Sequence, residues 1–232
     1  MILQPVAFIY FMQIQWFGQS CFRLQTPAGS VLIDPFSKEI GITPPKVNAD
    51  IVIFSHKHPD HYNDNYAQRD VFIIDGPGEY EKNGFSITGV AADHDDNGGK
   101  KSGKVTIFRV ESEGLGVVFL SDIGKKQLED GQLEGMGEVD ILLVPIGGKY
   151  NLGKNQHSTV DAEGAAELVN QLEPSIVIPM HYKIPGLKLG MSGSEEFLKE
   201  MGSKNAETLD KLSIKKKDLL HEKTKIVVLK VS

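Results

Sequence analysis

Short apolar segments, separated by turns rich in Gly, Pro, Asn and Asp, fill the chain from residue 13 to about residue 144. This pattern predicts β-strands, because a strand needs only a few apolar or alternating positions and turn residues end it. The strands predicted in this half are Ile14–Phe17, Cys21–Thr26, Ser30–Ile33, Ile51–Phe54, Val71–Ile74, Phe85–Val90, Val105–Val110, Gly116–Leu120 and Ile141–Val144.

Helical periodicity begins in the second half of the chain. Apolar residues recur at helix spacing from Asp161 to Leu172, and a second helix is predicted near residues 194–201. Continuous apolar runs at residues 175–180 and 226–231 predict two further, buried strands. Helices that cover sheets of short strands indicate a layered α/β fold. No repeat, linker or change of composition divides the sequence, so we predict one domain over residues 1–232.

Composition and charge narrow the functional classes. The chain has 232 residues, 40% of them hydrophobic and 24% charged, which is typical of a folded globular protein. A net charge of −6 argues against nucleic acid as a partner without excluding it. Cys21 is the single cysteine, which favours a reducing, cytoplasmic setting and, for this residue, a buried structural thiol. Residues 1–11 are apolar but shorter than the about 20 residues that span a bilayer, and they could be an N-terminal appendage.

The run Ser55-His56-Lys57-His58-Pro59-Asp60-His61 carries the strongest chemical signal. Three imidazoles and a carboxylate directly follow an apolar strand, and both groups bind divalent transition metals. Alternate residues His56 and His58 can point the same way, whereas Asp60 and His61 lie a turn further on and face a neighbouring position. The spacing therefore predicts two metal positions.

A dinuclear site needs further ligands at the ends of other strands. His94, Asp122 and His181 each close a strand-like segment and are our candidates. Each of them alone is a weak signal, because a lone polar residue at a strand end is often only a cap or a solvated turn. Polar, glycine-rich segments at residues 93–104 and 150–158 are predicted to be loops that form a mobile rim over the site.

The ordered set His-x-His-x-Asp-His, His, Asp and His resembles the metallo-β-lactamase superfamily from about Met12 to the C-terminus. The strings at residues 76–81, 121–124, 144–148 and 178–182 resemble a branch similar to the L-ascorbate-6-phosphate lactonases and, more distantly, to N-acyl-phosphatidylethanolamine phospholipase D. The resemblance implies a four-layer αββα sandwich with metals at one edge of its two sheets. The implied ligands are His56, His58 and His94 at the first metal, Asp60, His61 and His181 at the second metal, and Asp122 as the bridge between them.

The resemblance implies a hydrolase in which a metal-bridging hydroxide attacks a carbonyl or phosphoryl centre. Asp122 would bridge the ions, and Asp60 would orient the nucleophile or shuttle its proton. Two divalent ions are expected, with Zn²⁺ favoured and Mn²⁺ or Fe²⁺ as alternatives. We expect a small-molecule lactone, ester or phosphoester as substrate, with no membrane partner; the sequence does not indicate the oligomeric state.

Three other functions stay open at this stage. A nuclease or phosphodiesterase acting on nucleic acid or nucleotides would use the same metal chemistry, and a regulatory or vestigial metal-binding protein would keep only the ligands. A di-iron oxidoreductase is the last alternative, although redox members of the superfamily usually carry Glu in place of a ligand such as His58.

Several residues outside the ligand set are weaker candidates. Asp34 could orient a ligand or form an ordinary Asp-Pro turn, and Tyr182 could meet an anionic substrate. Lys183 and His221 are expected to be solvated. His157 could enter the substrate pocket, although a lone histidine beside capping residues is more often structural. Trp16 and Phe17 are expected in the core.

Overall fold

The computed structural model describes residues 11–67, 70–220 and 223–232. The predicted appendage, apart from Phe11, and the candidate His221 lie outside these residues. Within them, none of the helices is long and apolar enough to cross a membrane.

Six strands form the first sheet, in the order β15-β1-β2-β3-β4-β5. Strands β15, β1, β2 and β3 are antiparallel neighbours, whereas β3, β4 and β5 run parallel. The bounds are β1 (Met12–Trp16), β2 (Phe22–Thr26), β3 (Gly29–Ile33), β4 (Ile51–Ile53), β5 (Phe72–Ile74) and β15 (Leu212–Ile214).

Eight strands form the second sheet, in the order β14-β16-β13-β10-β9-β8-β7-β6. Its parallel part runs from β14 to β9, and β8, β7 and β6 continue it as antiparallel strands. The bounds are β6 (Gly78–Lys82), β7 (Phe85–Asp93), β8 (Lys104–Ser112), β9 (Leu115–Phe119), β10 (Ile141–Pro145), β13 (Ile176–Met180), β14 (Glu207–Leu209) and β16 (Lys225–Leu229). Strands β11 (Lys149–Leu152) and β12 (Asn155–Ser158) form a separate hairpin.

The two large sheets pack face to face around a shared hydrophobic core. In β4, Ile51 and Ile53 belong to the cluster that contains Phe108 and Val117 of the second sheet, whereas Val52 belongs to a cluster on the opposite face. This alternation follows from the two-residue period of a strand, and burial on both faces explains why β4 is apolar at every position.

Helices cover the outer faces of both sheets. On the second sheet, α2 (Asp130–Met136) packs against β7 and β8, α3 (Ala162–Leu172) packs against β10, and α4 (Glu195–Glu200) packs against α3. Helix α3 begins after Asp161, whose carboxylate accepts a hydrogen bond from the Gly164 amide as an N-cap. On the first sheet, the outer cluster includes Tyr66 of α1 (Asp64–Ala67) and Ile40 of a 3₁₀ turn (Lys38–Ile40). The predicted α/β sandwich is therefore confirmed.

All eleven predicted strands and both predicted helices are present, with ends shifted by at most three residues. The prediction of a loop at residues 150–158 was wrong, because this segment belongs to the β11–β12 hairpin. Strands β6, β14 and β15 and helices α1 and α2 were not predicted. Strand β6 has the sequence GEYEK and lies at a sheet edge, where most of its side chains are exposed, so its apolar signal is weak.

Candidate metal centre

Three imidazoles form the first cluster, which we define as His56, His58 and His94. His56 and His58 lie on the turn after β4, and His94 directly follows β7. The Nε2 atom of His56 lies 3.1 Å from Nδ1 of His58, which lies 3.2 Å from Nε2 of His94. Two facing sheets thus deliver one set of ligand atoms to a common edge.

The second cluster consists of Asp60, His61, Asp122 and His181, all fully buried. Asp122 is the third residue after the end of β9, and His181 directly follows β13. Oδ1 of Asp122 lies 3.0 Å from Nε2 of His61 and 3.2 Å from Nε2 of His181. Oδ2 of Asp60 lies 3.5 and 3.4 Å from the same two nitrogens.

The carboxylate of Asp122 lies between the two clusters. Its Oδ1 belongs to the second cluster, whereas its Oδ2 is 3.5 Å from Nε2 of His94 in the first. The structure thus brings together all seven side chains that the sequence nominated, and it gives the two oxygens of one carboxylate to different clusters.

These spacings suit a metal better than they suit direct hydrogen bonds. Metal–ligand bonds of about 2.0–2.1 Å in a tetrahedral zinc site place neighbouring ligand atoms about 3.3–3.4 Å apart. The separations given above are 3.0–3.5 Å, and all ligand atoms of each cluster lie within 4.8 Å of one another. Nε2 of His61 and Oδ1 of Asp122 are buried and make no hydrogen bond with any described residue. Buried polar atoms nearly always have a partner, so buried nitrogen and oxygen atoms that converge without a hydrogen bond indicate a cation position.

Asp34 holds His61 in the orientation that a ligand needs. Its Oδ2 lies 2.6 Å from Nδ1 of His61, and its Oδ1 accepts a 2.7 Å hydrogen bond from the Ser55 amide. The hydroxyl of Ser55 donates to Oδ2 at 2.5 Å and accepts a hydrogen bond from the Ser121 hydroxyl at 2.7 Å. A carboxylate that accepts from Nδ1 leaves Nε2 of the neutral imidazole free to bind a metal, so this contact holds the His61 ring as a metal ligand would need it.

Two histidines of the first cluster, His56 and His58, are neutral near pH 7. Burial and the neighbouring imidazoles lower the pKa of His56 well below its ordinary value, and they lower the pKa of His58 to about 4. A neutral imidazole offers a lone pair to a metal without first losing a proton.

The second cluster has the opposite electrostatic character. Burial disfavours charge on its histidines, but the carboxylates of Asp122 and Asp60 outweigh that effect. They raise the pKa of His61 well above its ordinary value and that of His181 to about 9. Against the effect of burial, the imidazoles hold the pKa of both carboxyl groups well below their usual range. In the metal-free protein, protons therefore occupy the place of a cation, and a metal must displace them.

Two residues that the sequence analysis did not nominate contact the cluster carboxylates. The Tyr150 hydroxyl donates a 2.7 Å hydrogen bond to Oδ2 of Asp122, and the Gln19 amide donates a 3.0 Å hydrogen bond to Oδ2 of Asp60. Tyr150 comes from the unpredicted hairpin, and Gln19 lies in the turn after β1. Neither residue type is a typical metal ligand, and no spacing rule linked them to the histidine run.

Left-handed backbone conformations mark the strand ends that carry the site. Gln19, Asp34, Ser121 and His181 have φ values of 52°, 44°, 50° and 52°, which non-glycine residues rarely adopt. Such strain persists only where the surrounding structure enforces it, and it is concentrated at functional sites. Gly147 packs against one of these turns so closely that a Cβ atom would lie 2.2 Å from the His181 carbonyl oxygen.

A cleft of about 640 Å³ opens beside His58 of the first cluster, and it is also lined by His157, Leu189, parts of the hairpin and the 3₁₀ turn. The ring of His157 lies 4.8 Å from that of His58, so the structure brings this weaker candidate to the site. Tyr182 instead lies in the core, where its ring packs 5.1 Å from that of Trp16 and burial raises its pKa to about 12.

Three other expectations are also met. The Lys183 side chain is exposed, as expected of a solvated amine, and Phe17 is buried, as expected of a core residue. Cys21 is fully buried, and burial together with Asp34 raises its pKa, which agrees with a structural thiol.

Family, sequence and structure comparisons with known proteins all point to the metallo-β-lactamase superfamily. The family model of the beta-lactamase superfamily domain matches residues 13–181. A UPF0173 protein of Pyrococcus abyssi is 30% identical, with 74% of this chain and 83% of the relative covered. A UPF0173 metal-dependent hydrolase of Methanopyrus kandleri is 27% identical, with 74% and 84% covered. The crystal structure of a candidate Zn-dependent hydrolase of the metallo-beta-lactamase superfamily from Thermotoga maritima is 34% identical, with a TM-score of 0.72 and coverage of 94% and 98%.

Proposed function

The chain belongs to the metallo-β-lactamase superfamily, and from this premise we propose that it is a dinuclear metal-dependent hydrolase of a small-molecule lactone, ester or phosphoester. The observation that carries the proposal is the position of Asp122, whose two carboxylate oxygens face two different clusters of ligand atoms. The names of the relatives support metal-dependent hydrolysis.

The donor set supports Zn²⁺ as the metal. The first cluster, His56, His58 and His94, with Oδ2 of Asp122, offers three imidazoles and one carboxylate oxygen; the second, Asp60, His61 and His181 with Oδ1 of Asp122, offers two of each. Nitrogen and oxygen donors in four-ligand sets suit zinc, and Mn²⁺ or Fe²⁺ fit the same donors as alternatives.

Divalent ions bound there would supply a hydroxide nucleophile, because they would lower the pKa of water to about 7, and they would polarise the bond under attack. The protein's own residues hold this arrangement. Asp122 faces both clusters, Asp60 would orient the nucleophile, and Asp34 fixes the imidazole of His61. The buried setting strengthens each of these electrostatic interactions.

The size of the cleft supports a small-molecule substrate. A cavity of about 640 Å³ lies within the range of typical small-ligand pockets, about 300–1,000 Å³. His58 and His157 lie at its wall, so a bound substrate would reach the first cluster. We propose the rim, including the hairpin, as the part of the molecule that selects the substrate.

A nuclease or phosphodiesterase acting on nucleic acid or nucleotides is the second candidate. A second cleft of about 580 Å³ also reaches His58 and is lined by Lys38, Lys46 and Lys57, cations that could contact phosphate groups. The net charge of −6 weighs against a long polyanion as substrate.

The single cysteine of the sequence supports a reducing, cytoplasmic setting for this function.

A substrate screen of the metal-reconstituted protein tests the proposal. The substrates are lactones, carboxylic esters, phosphodiesters and single-stranded RNA, assayed with added Zn²⁺ or Mn²⁺. We expect turnover of at least one small-molecule class, lost in Asp122→Ala. Equal turnover by both proteins would reveal a contaminant, and preferential cleavage of RNA would favour the nuclease.

A further inference from the structure

We propose that each metal position has its own positioning residue, Tyr150 for the first cluster and Gln19 for the second, each acting through the hydrogen bond it donates to a cluster carboxylate. The inference rests on the proposed dinuclear function. It assigns separate roles to two buried residues that belong to neither cluster.

The hairpin aims Tyr150 at the site. Tyr150 and His157 are direct cross-strand partners, 1% and 8% exposed, whereas Lys149 and Asn151 point outward and are exposed. The hairpin is fastened to the body of the protein, because the Asn151 amide donates to the Leu189 carbonyl at 2.9 Å. A two-residue alternation thus buries one tyrosine over the clusters.

The Tyr150 hydroxyl acts on one side of Asp122 only. It donates to Oδ2, the oxygen 3.5 Å from Nε2 of His94, and it lies 3.4 Å from that same nitrogen. Oδ1, which faces His61 and His181, accepts no hydrogen bond from the tyrosine. The Tyr150 ring does pack 4.8 Å from the His181 ring, but phenylalanine would keep that ring contact. Since an ionised carboxylate only accepts hydrogen bonds, the tyrosine must be the donor. It therefore fixes the rotation of the carboxylate that presents Oδ2 to the first cluster.

The rotation of the Asp122 carboxylate matters more for the first cluster than for the second. Asp122 supplies the single carboxylate oxygen beside the three imidazoles of the first cluster, so a turned carboxylate would leave that cluster without an anionic donor. The second cluster also contains the carboxylate of Asp60, so it keeps an anionic donor.

Gln19 is the positioning residue of the second cluster. Its Nε2 donates to Oδ2 of Asp60, the oxygen that faces His61 and His181. Its backbone carbonyl accepts hydrogen bonds from the His181 amide at 3.1 Å and from the Trp16 indole at 2.9 Å. Gln19 thus fixes one carboxylate ligand through its side chain and one histidine ligand through its backbone. Both contacts belong to the second cluster.

Zinc titrations of the full-length chain can separate the two roles. His181→Ala removes a ligand from the second cluster and leaves the first cluster intact. His58→Ala removes a ligand from the first cluster and leaves the second cluster intact. In the His181→Ala background, Tyr150→Phe should weaken Zn²⁺ binding by about 10-fold, the lower end of the effect of removing a ligand's hydrogen-bond partner. In the His58→Ala background, the same substitution should leave the affinity unchanged.

Gln19→Met should give the opposite pattern, weakening zinc binding only in the His58→Ala background. Two matched controls remove the same chemical groups elsewhere. Tyr80→Phe deletes a hydroxyl that contacts the Gly76 carbonyl, and Gln13→Met deletes an amide that contacts Ser213. Neither control should change zinc affinity in either background.

Equal weakening in both backgrounds would overturn the inference, because it would indicate a general structural role. An unchanged affinity for Tyr150→Phe in the His181→Ala background would overturn it as well. Tyr150→Leu, which also lacks the hydroxyl, replaces the phenylalanine variant if thermal unfolding shows that the latter is not folded. If the unsubstituted chain binds two Zn²⁺ but each substitution weakens zinc binding equally in the two backgrounds, this inference alone fails. If the unsubstituted chain binds no zinc, the proposed function fails with it.

Discussion

Replacing Asp34 with Asn tests whether this residue, which belongs to neither cluster, orients the imidazole of His61 for metal binding. Asn has nearly the same shape, and it tolerates the left-handed φ of 44° found here. The native carboxylate accepts from Nδ1 of His61 and from both the amide and the hydroxyl of Ser55. The asparagine side chain has one oxygen, so it cannot satisfy all three donors.

The geometry sets the size of the effect. A metal on Nε2 of His61 requires the ring proton on Nδ1, which then needs an acceptor. If the asparagine oxygen faces His61, its NH₂ group opposes the Ser55 amide; if it faces Ser55, the Nδ1 proton has no acceptor. One buried unsatisfied donor costs about 1–3 kcal/mol, which corresponds to about a 5- to 150-fold weaker zinc affinity of the second cluster.

The assay is a zinc titration against a competing chelator in the His58→Ala background, where the first cluster has lost a ligand and the second cluster is intact. Asp140→Asn is the matched control, because Asp140 is also buried and accepts from the Gly116 amide, far from the clusters. The control should lower thermal stability without lowering zinc affinity. An Asp34→Asn protein that is folded and binds zinc as tightly as its parent would refute the role assigned to Asp34.

Three further predictions follow from the same site. Zinc affinity should rise as the pH rises towards 9, because zinc must displace the protons that His61 and His181 hold at raised pKa values, about 9 for His181. Calorimetry in two buffers of different ionisation enthalpy counts the released protons, and a pH-independent affinity would contradict this prediction. Gly147→Ala should lower the Tm and the zinc content together, because its Cβ would displace the turn at His181, and an unchanged Tm would count against that packing. His157→Phe should raise the KM for any substrate found and leave the zinc content unchanged, since His157 lines the cleft beside His58; an unchanged KM would remove it from the substrate site.

The ligand set was predictable from sequence because most of its information is local. His56, His58, Asp60 and His61 share one turn, and the remaining candidates follow apolar strands whose ends meet at one edge of the sandwich. Their convergence in the structure agrees with the sequence prediction, and their role as metal ligands remains a prediction. The family resemblance supplied the pairing into two clusters.

The residues around the ligands could not be predicted in the same way. Tyr150 lies in a polar, glycine-rich segment whose alternation of buried and exposed side chains is visible only after the hairpin has folded. Gln19 depends on a turn with positive φ, which no apolar pattern encodes. Strands β14 and β15 are three residues long and too short to give a periodic signal.

The central claim is that Asp122 joins two metal positions in one hydrolase, and the metal content of the protein tests it most directly. After reconstitution with Zn²⁺ and removal of free ions, elemental analysis should find two zinc ions per folded chain, and fewer than two in Asp122→Ala. A value of zero or one in the unsubstituted chain, or two ions retained by Asp122→Ala, would contradict the account.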